Sequence, residues 1–454
     1  MNDRNAPISH RTVWLLAGPM ILSNLTVPLV GAVDTAVVGH LPGPHHIGAV
    51  ALGALIFSFL YWGFGFLKMG ITGYVARSYG TGNERDISVA MLRFLLIGLV
   101  AGMLIIALGR SLVDFALHLL DSTERVESLA ADYAYIRIWS APAALCVYVF
   151  TGVFIGLHDT RMALVLQLVL NLTNLVLDLL FVPVLDLGVP GVAWATLIAE
   201  YGAAALGLFL LRKRLIQAVR QIAVRELLEA GAIRHLLSTN GNIFIRTVCL
   251  MFGFAFFTDQ SARHGEMILA ANTILLHLQT IMAFGVDGFA HAIEALGGSA
   301  YGAGNRRRFL RAVRLTTAWS LITAALFALL FLLFGHTIIG WFTDIPAIVG
   351  LAGQYLPWMI VSPLLSFASF QLDGLFIGVG HTREMRNAML ASTAGYILLA
   401  FLLQPWLGNH GLFLALVCFM ILRAVTLGFY YPGVVRAIPA RPELPGERPA
   451  GFTG

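Results

Sequence analysis

The sequence predicts an all-α integral membrane protein of twelve transmembrane helices, arranged as two six-helix bundles related by a pseudo-two-fold axis along the membrane normal. Three observations predict it. Apolar stretches of roughly the 20 residues needed to cross a bilayer recur along the whole chain. Basic residues collect in alternate short segments between those stretches. Two separated blocks of sequence repeat at one constant spacing. The composition agrees: of 454 residues, 58% are hydrophobic and 12% charged, about half the roughly 25% charged share of a soluble domain. A soluble chain of this composition would be left with large exposed apolar patches.

The amino end, Met1 to Arg11, is short and polar and precedes a long apolar run with no Ala-x-Ala cleavage pattern. The first helix is therefore expected to act as its own targeting segment. The first six spans read near 13–40, 47–74, 89–109, 129–157, 162–183 and 191–211. Pro19 and Pro28 interrupt the first, and each removes a backbone hydrogen bond, so this span is expected to bend or break. The second six read near 238–257, 267–298, 312–335, 348–380, 388–405 and 411–431.

Loop charges orient the spans. Arg77 and Arg85 follow span two, Arg161 follows span four, and Arg212, Lys213, Arg214, Arg220, Arg225 and Arg234 fill the central connection. Arg306, Arg307, Arg308 and Arg311 follow span eight, and Arg383 and Arg386 follow span ten. The opposite loops carry few, Arg110, Arg125 and Arg263 being the clearest. This alternation places both termini in the cytoplasm. The net charge of +5 is thus a topology signal and not a nucleic-acid surface.

The repeat divides the chain. Tyr79-Gly80-Thr81-Gly82-Asn83 matches Tyr301-Gly302-Ala303-Gly304-Asn305, Gly152-Val153-Phe154-Ile155-Gly156 matches Gly374-Leu375-Phe376-Ile377-Gly378, and Thr160-Arg161 matches Thr382-Arg383, all at a separation of 222. Each half has an even number of spans, so both start on the same side and the halves are related without inversion. Residues 1–222 are expected to form an amino-terminal lobe, its basic linker starting near 212, and 223–436 a carboxyl-terminal lobe. The Pro-, Arg- and Glu-rich stretch 437–454 is expected to be a disordered tail. Such paired bundles enclose a substrate cavity within one chain and alternate its access, so a monomer suffices.

Charges inside spans cost about 2.5–3.5 kcal/mol on insertion scales and need partners, water or a function. In the first half they are Asp34, Lys68, Asp178 and Glu200, and in the second Arg246, Asp287, Glu294 and Asp373. Asn174 and Asp178 lie four apart on span five and share a helix face; Thr196 lies on span six. Two carboxylates with an amide and a hydroxyl offer hard oxygen ligands or a shared proton, since both cannot ionise cheaply in a low dielectric. The alternative is that each aspartate pairs with a buried base such as Lys68. Asp287 and Glu294, seven apart on span eight, and Asp373 on span ten suggest a second carboxylate cluster for a cationic substrate or for coupling. The alternative there is a structural network with Arg246. Glu200 has no evident role. Cys146, Cys249 and Cys418 sit in apolar runs without ligand or disulfide spacing. His40, His45 and His46 crowd the first outer loop without further ligands and read as interface residues.

These residues resemble a known family. Gly18-Pro19-Met20-Ile21-Leu22-Ser23-Asn24 and Val33-Asp34-Thr35-Ala36-Val37-Val38-Gly39-His40 resemble the start of multidrug and toxic compound extrusion (MATE) transporters. Asp287-Gly288-Phe289-Ala290, Glu294, Tyr301-Gly302, Asp373-Gly374-Leu375-Phe376-Ile377-Gly378 and Glu384-Met385-Arg386-Asn387 resemble its DinF branch. The resemblance spans essentially the whole chain short of the tail. It implies two lobes around a cleft that export cationic or amphipathic compounds against inward proton or sodium flow. It places the coupling site at Asp34, Asn174, Asp178 and Thr196 and a helix-one hinge at Pro19. Asp373 falls where a sodium-coupled branch has a second-lobe carboxylate, but that branch's helix-seven glutamate has no clear match here.

The expected function is a secondary antiporter of the bacterial inner membrane, exporting such compounds in exchange for protons, with no other cofactor. Its partners are a small-molecule substrate and the lipid bilayer, not nucleic acid. The alternatives are sodium coupling at the same four residues or flipping of a lipid-linked precursor; acidic in-span residues favour cationic cargo over a pyrophosphate headgroup. No HExxH, GxSxG or Walker-type loop supports an enzyme or direct ATP drive. A passive channel fits a duplicated bundle with buried carboxylates less well than alternating access does.

Overall fold

In a bilayer every backbone N–H and C=O must be satisfied within the segment, and helices do this. The computed structural model describes residues 7–438 except His40, Pro42 and Asp121. The helices of the first half are α1 (His10–Val38), α2 (His45–Gly63), α3 (Phe66–Thr81), α4 (Glu84–Ala107), α5 (Gly109–Leu120), α6 (Glu124–Arg137), α7 (Ala141–Gly156), α8 (Thr160–Phe181) and α9 (Gly188–Gln221). A short α10 (Val224–Leu227) precedes α11 (Ala230–Arg263), α12 (Glu266–Gly302), α13 (Arg306–Phe342), α14 (Pro346–Val379), α15 (Thr382–Leu407) and α16 (Asn409–Ala437). Among the described residues, twelve segments are long and apolar enough to cross a membrane, matching the twelve predicted.

The differences are local. Span two is broken at Phe64 and Gly65 into α2 and α3, and span four contains a 3-10 turn, Ile138–Ser140, between α6 and α7. The predicted loop after span three holds α5, which buries Val113 and Leu117 and exposes Leu112, Phe115 and Leu119. Helix α1 is continuous through both prolines. Pro19 cannot donate to the carbonyl of Leu15 four residues back, and the Thr160 hydroxyl donates to it instead, at 3.2 Å. The tail expected from 437 onward lies outside the described residues from 439, as do residues 1–6 and His40.

The repeat has a physical basis. Gly82 and Gly304 end α3 and α12 with left-handed φ of 79° and 65°, a conformation glycine adopts without cost. Asn83 and Asn305 then cap α4 and α13, their Oδ1 accepting from the N–H of Asp86 (3.1 Å) and Arg308 (3.0 Å). The second block is a small-residue packing face. A Cβ on Gly152 or Gly156 of α7 would meet the carbonyls of Lys68 or Thr72 on α3. On Gly374 or Gly378 of α14 it would meet those of Ala290 or Glu294 on α12. Ala290 and Glu294 are themselves 222 residues beyond Lys68 and Thr72.

The halves meet through the same helices. A Cβ on Gly80 would strike Ser299 O and one on Gly302 would strike Arg77 O, while Gly298 faces Ala76. Each contact maps onto its counterpart at the offset of 222, so the pseudo-two-fold axis passes between Ala76 and Gly298. Arg77 Nη1 donates to Gly378 O and His158 Nε2 to Ala295 O, both at 3.0 Å. These contacts lie on the side of the central linker, and α10 is fastened there to α4 by Arg85 on Glu226 (2.8 Å) and Arg93 on the Leu227 carbonyl (3.1 Å). Further lobe contacts reach mid-membrane at Asn24, whose side chain donates to Phe284 O at 3.4 Å, and at Phe66 on Phe244.

His158 holds φ at 62°, where the second half uses Gly380 at 80°. A non-glycine residue there carries about 1–3 kcal/mol of strain, offset by its hydrogen bond across the lobes. Burial pushes its imidazole down from 6.5 to about 4, so the neutral ring makes this contact. A depressed histidine stabilises fully above its ordinary value, and that stabilisation is lost as pH falls towards 4. Wild-type Tm is expected to fall over that window by more than the Tm of His158→Gly; equal falls would exclude His158 as the titrating latch.

Candidate functional site

Asp34 projects from the end of α1 far from the linker, Asn174 and Asp178 from adjacent turns of α8, and Thr196 from α9. The structure brings all four together and buries them: 9%, 1%, 0% and 8% exposed. Asn174 donates through Nδ2 to Thr196 Oγ1 at 3.3 Å, and that hydroxyl donates to Val192 O at 3.1 Å. The carboxyl groups of Asp34 and Asp178 face each other across the site. Asp34 Oδ1, both oxygens of Asp178 and Asn174 Oδ1 are buried with no donor. Burying such acceptors is costly unless a cation or proton satisfies them. The Thr26 hydroxyl accepts from Asn171 of α8 at 2.8 Å, so the site and the proline-bearing stretch of α1 are fastened to one helix.

The second-lobe carboxylates are arranged differently. Asp373 Oδ2 accepts from both Arg246 and Arg423, and Arg423 also lies over the rings of Phe370 and Phe419. The network with Arg246 is present, completed by an arginine not anticipated. Asp287 is half-buried on α12, and Glu294, 2% exposed, accepts from His291 Nδ1 at 3.2 Å. Both face Lys68 of the opposite half. Lys68, considered as a partner for Asp34 or Asp178, thus serves neither. The three second-lobe carboxylates are matched by Arg246, Arg423 and the first-half Lys68. Among the described residues, the first-lobe pair makes no ion pair and faces one cation, Arg137, which it shares with Glu200.

Sequence reasoning missed Arg137 and Arg423. Both fall inside predicted spans, and the in-span charge that singled out Lys68 would have found them. Arg137 sits on α6 near the Asp34–Asp178 pair and Glu200. The rings of His45 and His46 lie 4.3 Å apart, and among the described residues no three His, Cys, Asp or Glu side chains gather as a metal site.

The MatE family model matches the chain twice, over residues 19–180 and 243–406, once in each half. The chain belongs to the MatE family of multidrug and toxin extrusion transporters. It is 41% identical to the DNA damage-inducible protein F of Escherichia coli strain K12, over 92% of this chain and 91% of that one. It is 27% identical to the human multidrug and toxin extrusion protein 1, over 92% of this chain and 74% of that one. An outward-facing structure of a multidrug resistance MATE family transporter superposes with a TM-score of 0.84 at 20% identity, covering 94% of this chain and 96% of that one. The MatE fold places the two bundles about the Ala76–Gly298 axis described above.

Proposed function

We propose that this MatE protein is a proton-coupled antiporter that exports cationic or amphipathic organic compounds. The observation that carries the reading is the buried Asp34–Asp178 pair, four of whose neighbourhood acceptor oxygens have no donor. A proton held between the carboxylates joins one oxygen of each and removes their mutual repulsion, without the coordination shell a metal ion requires. The basic linker side is cytoplasmic by the charge rule. With lobe contacts gathered there, the state described is outward-facing, and the lobes 1–222 and 223–436 move about the glycine contacts near Ala76 and Gly298. Protons enter Asp34 and Asp178 from outside. Neutralising them removes the field that holds a cationic compound and alters how the Pro19-bearing α1 lies on α8, so the compound leaves. Deprotonation towards the cytoplasm resets the site. The chain works as a monomer in the inner membrane, and sodium in the same cage is the competing reading.

The test is export of a fluorescent cationic dye from proteoliposomes under a proton gradient or a sodium gradient, applied separately. Proton-driven export is expected. Export driven by sodium alone would overturn the choice of ion, and export without either gradient would overturn antiport.

A further inference from the structure

Buried Glu200 and half-buried Arg137 face each other beside the ion site as a charge couple. Arg137, at the end of α6, is permanently protonated in a protein. Its Nη1 donates to Tyr133 Oη at 2.5 Å, and its guanidinium lies 4.9 Å from the Phe57 ring centroid. Glu200, on α9 one turn from Thr196, is 6% exposed. Glu200 Oε2 and Arg137 Nε are both buried without a hydrogen-bond partner. Ser140 Oγ donates to the Arg137 carbonyl at 2.8 Å, which leaves the Tyr61 hydroxyl to donate to Ser140 at 3.1 Å. The groups facing the couple are Asp34 from α1, Tyr61 from α2, Tyr133 from α6, Ser140 from the 3-10 turn, Tyr148 from α7 and Asp178 from α8. Arg137 is the positive charge that acts on both Asp34 and Asp178.

One guanidinium therefore faces three carboxylates. If it acted on the Asp34–Asp178 pair alone, it would compete with the coupling cation and hold that pair ionised. Glu200 faces the same cation without an ion-pair contact and offsets part of its field. We propose that Arg137 and Glu200 are positioning residues for ion coupling, Arg137 opposing cation binding at the Asp34–Asp178 pair and Glu200 restoring it by neutralising Arg137. Neither residue touches the transported ion. The proposal rests on the coupling reading above and adds what sets the working range of that site.

The test is the pH midpoint of dye transport in proteoliposomes for the wild type and four variants. Glu200→Gln leaves Arg137 unopposed, and its midpoint is expected to move acid by about one pH unit. Arg137→Gln is expected to move the midpoint alkaline by about as much. Arg137→Gln combined with Glu200→Gln removes both charges and should return the midpoint towards wild type, as should Arg137→Lys, which keeps the charge. The double variant buries no net charge, so it guards against a single variant that misfolds. Lower rates with unmoved midpoints, or shifts of the same sign, would overturn the proposal and leave the couple structural. If sodium drives export, the same signs are read on the sodium half-saturation concentration, because both ions carry one positive charge. Coupling that survives in Asp34→Asn would sink the coupling reading itself. Coupling lost in Asp34→Asn with unmoved midpoints in the Arg137 and Glu200 variants would sink this proposal alone.

Discussion

Asp178→Asn is expected to reduce gradient-driven export to the level of protein-free vesicles while leaving the fold intact. Both Asp178 oxygens are buried without a donor, so the native side chain is a burden on stability whenever it is ionised. The amide has nearly the same shape and removes that charge, and the Asn174–Thr196 hydrogen bond does not involve it. Tm should therefore be unchanged or higher, and dye should still bind without being driven. Paired measurements of Tm and export check this. A variant that loses export only because it unfolds would contradict the assignment of Asp178 as a coupling residue.

The opposite behaviour is expected at Asp373. Asp373→Ala removes the acceptor shared by Arg246 and Arg423 and leaves two guanidinium groups buried, Arg423 at 2% exposure. Breaking a buried pair in this way costs about 3–5 kcal/mol, a large part of the roughly 5–15 kcal/mol available to a folded domain. The yield of monodisperse protein in detergent and its Tm should both fall sharply. Replacing Asp373, Arg246 and Arg423 together by apolar residues of similar volume should recover much of that loss, because no unpaired charge remains. Normal Tm in Asp373→Ala would mean that the network carries no structural weight. Two buried aspartates in one chain are thus expected to answer differently to substitution, one through transport and the other through folding.

The twelve spans were legible because a bilayer forces each crossing to declare itself by length and apolarity. The repeat was legible because its glycines and asparagines do the same local work twice: Gly82 and Gly304 stop helices, and Asn83 and Asn305 start the next. The gathering of Asp34, Asn174, Asp178 and Thr196 followed from helix periodicity and from the family resemblance together. Other features depend on tertiary packing. That Lys68 faces Asp287 and Glu294 across the lobes, and not Asp34 or Asp178, is set by how α3 lies on α12. The break at Phe64 and the interfacial α5 have no strong local marker beyond the glycines at 63, 65 and 109. The strain at His158 shows only when its backbone is compared with that of Gly380.

The most direct test of proton coupling is proton release from purified protein in weakly buffered detergent when a cationic dye is added. The account predicts that dye displaces protons from the wild type, and that Asp34→Asn and Asp178→Asn bind dye while releasing none. Dye binding that releases no protons from the wild type, but weakens as sodium is raised, would contradict it.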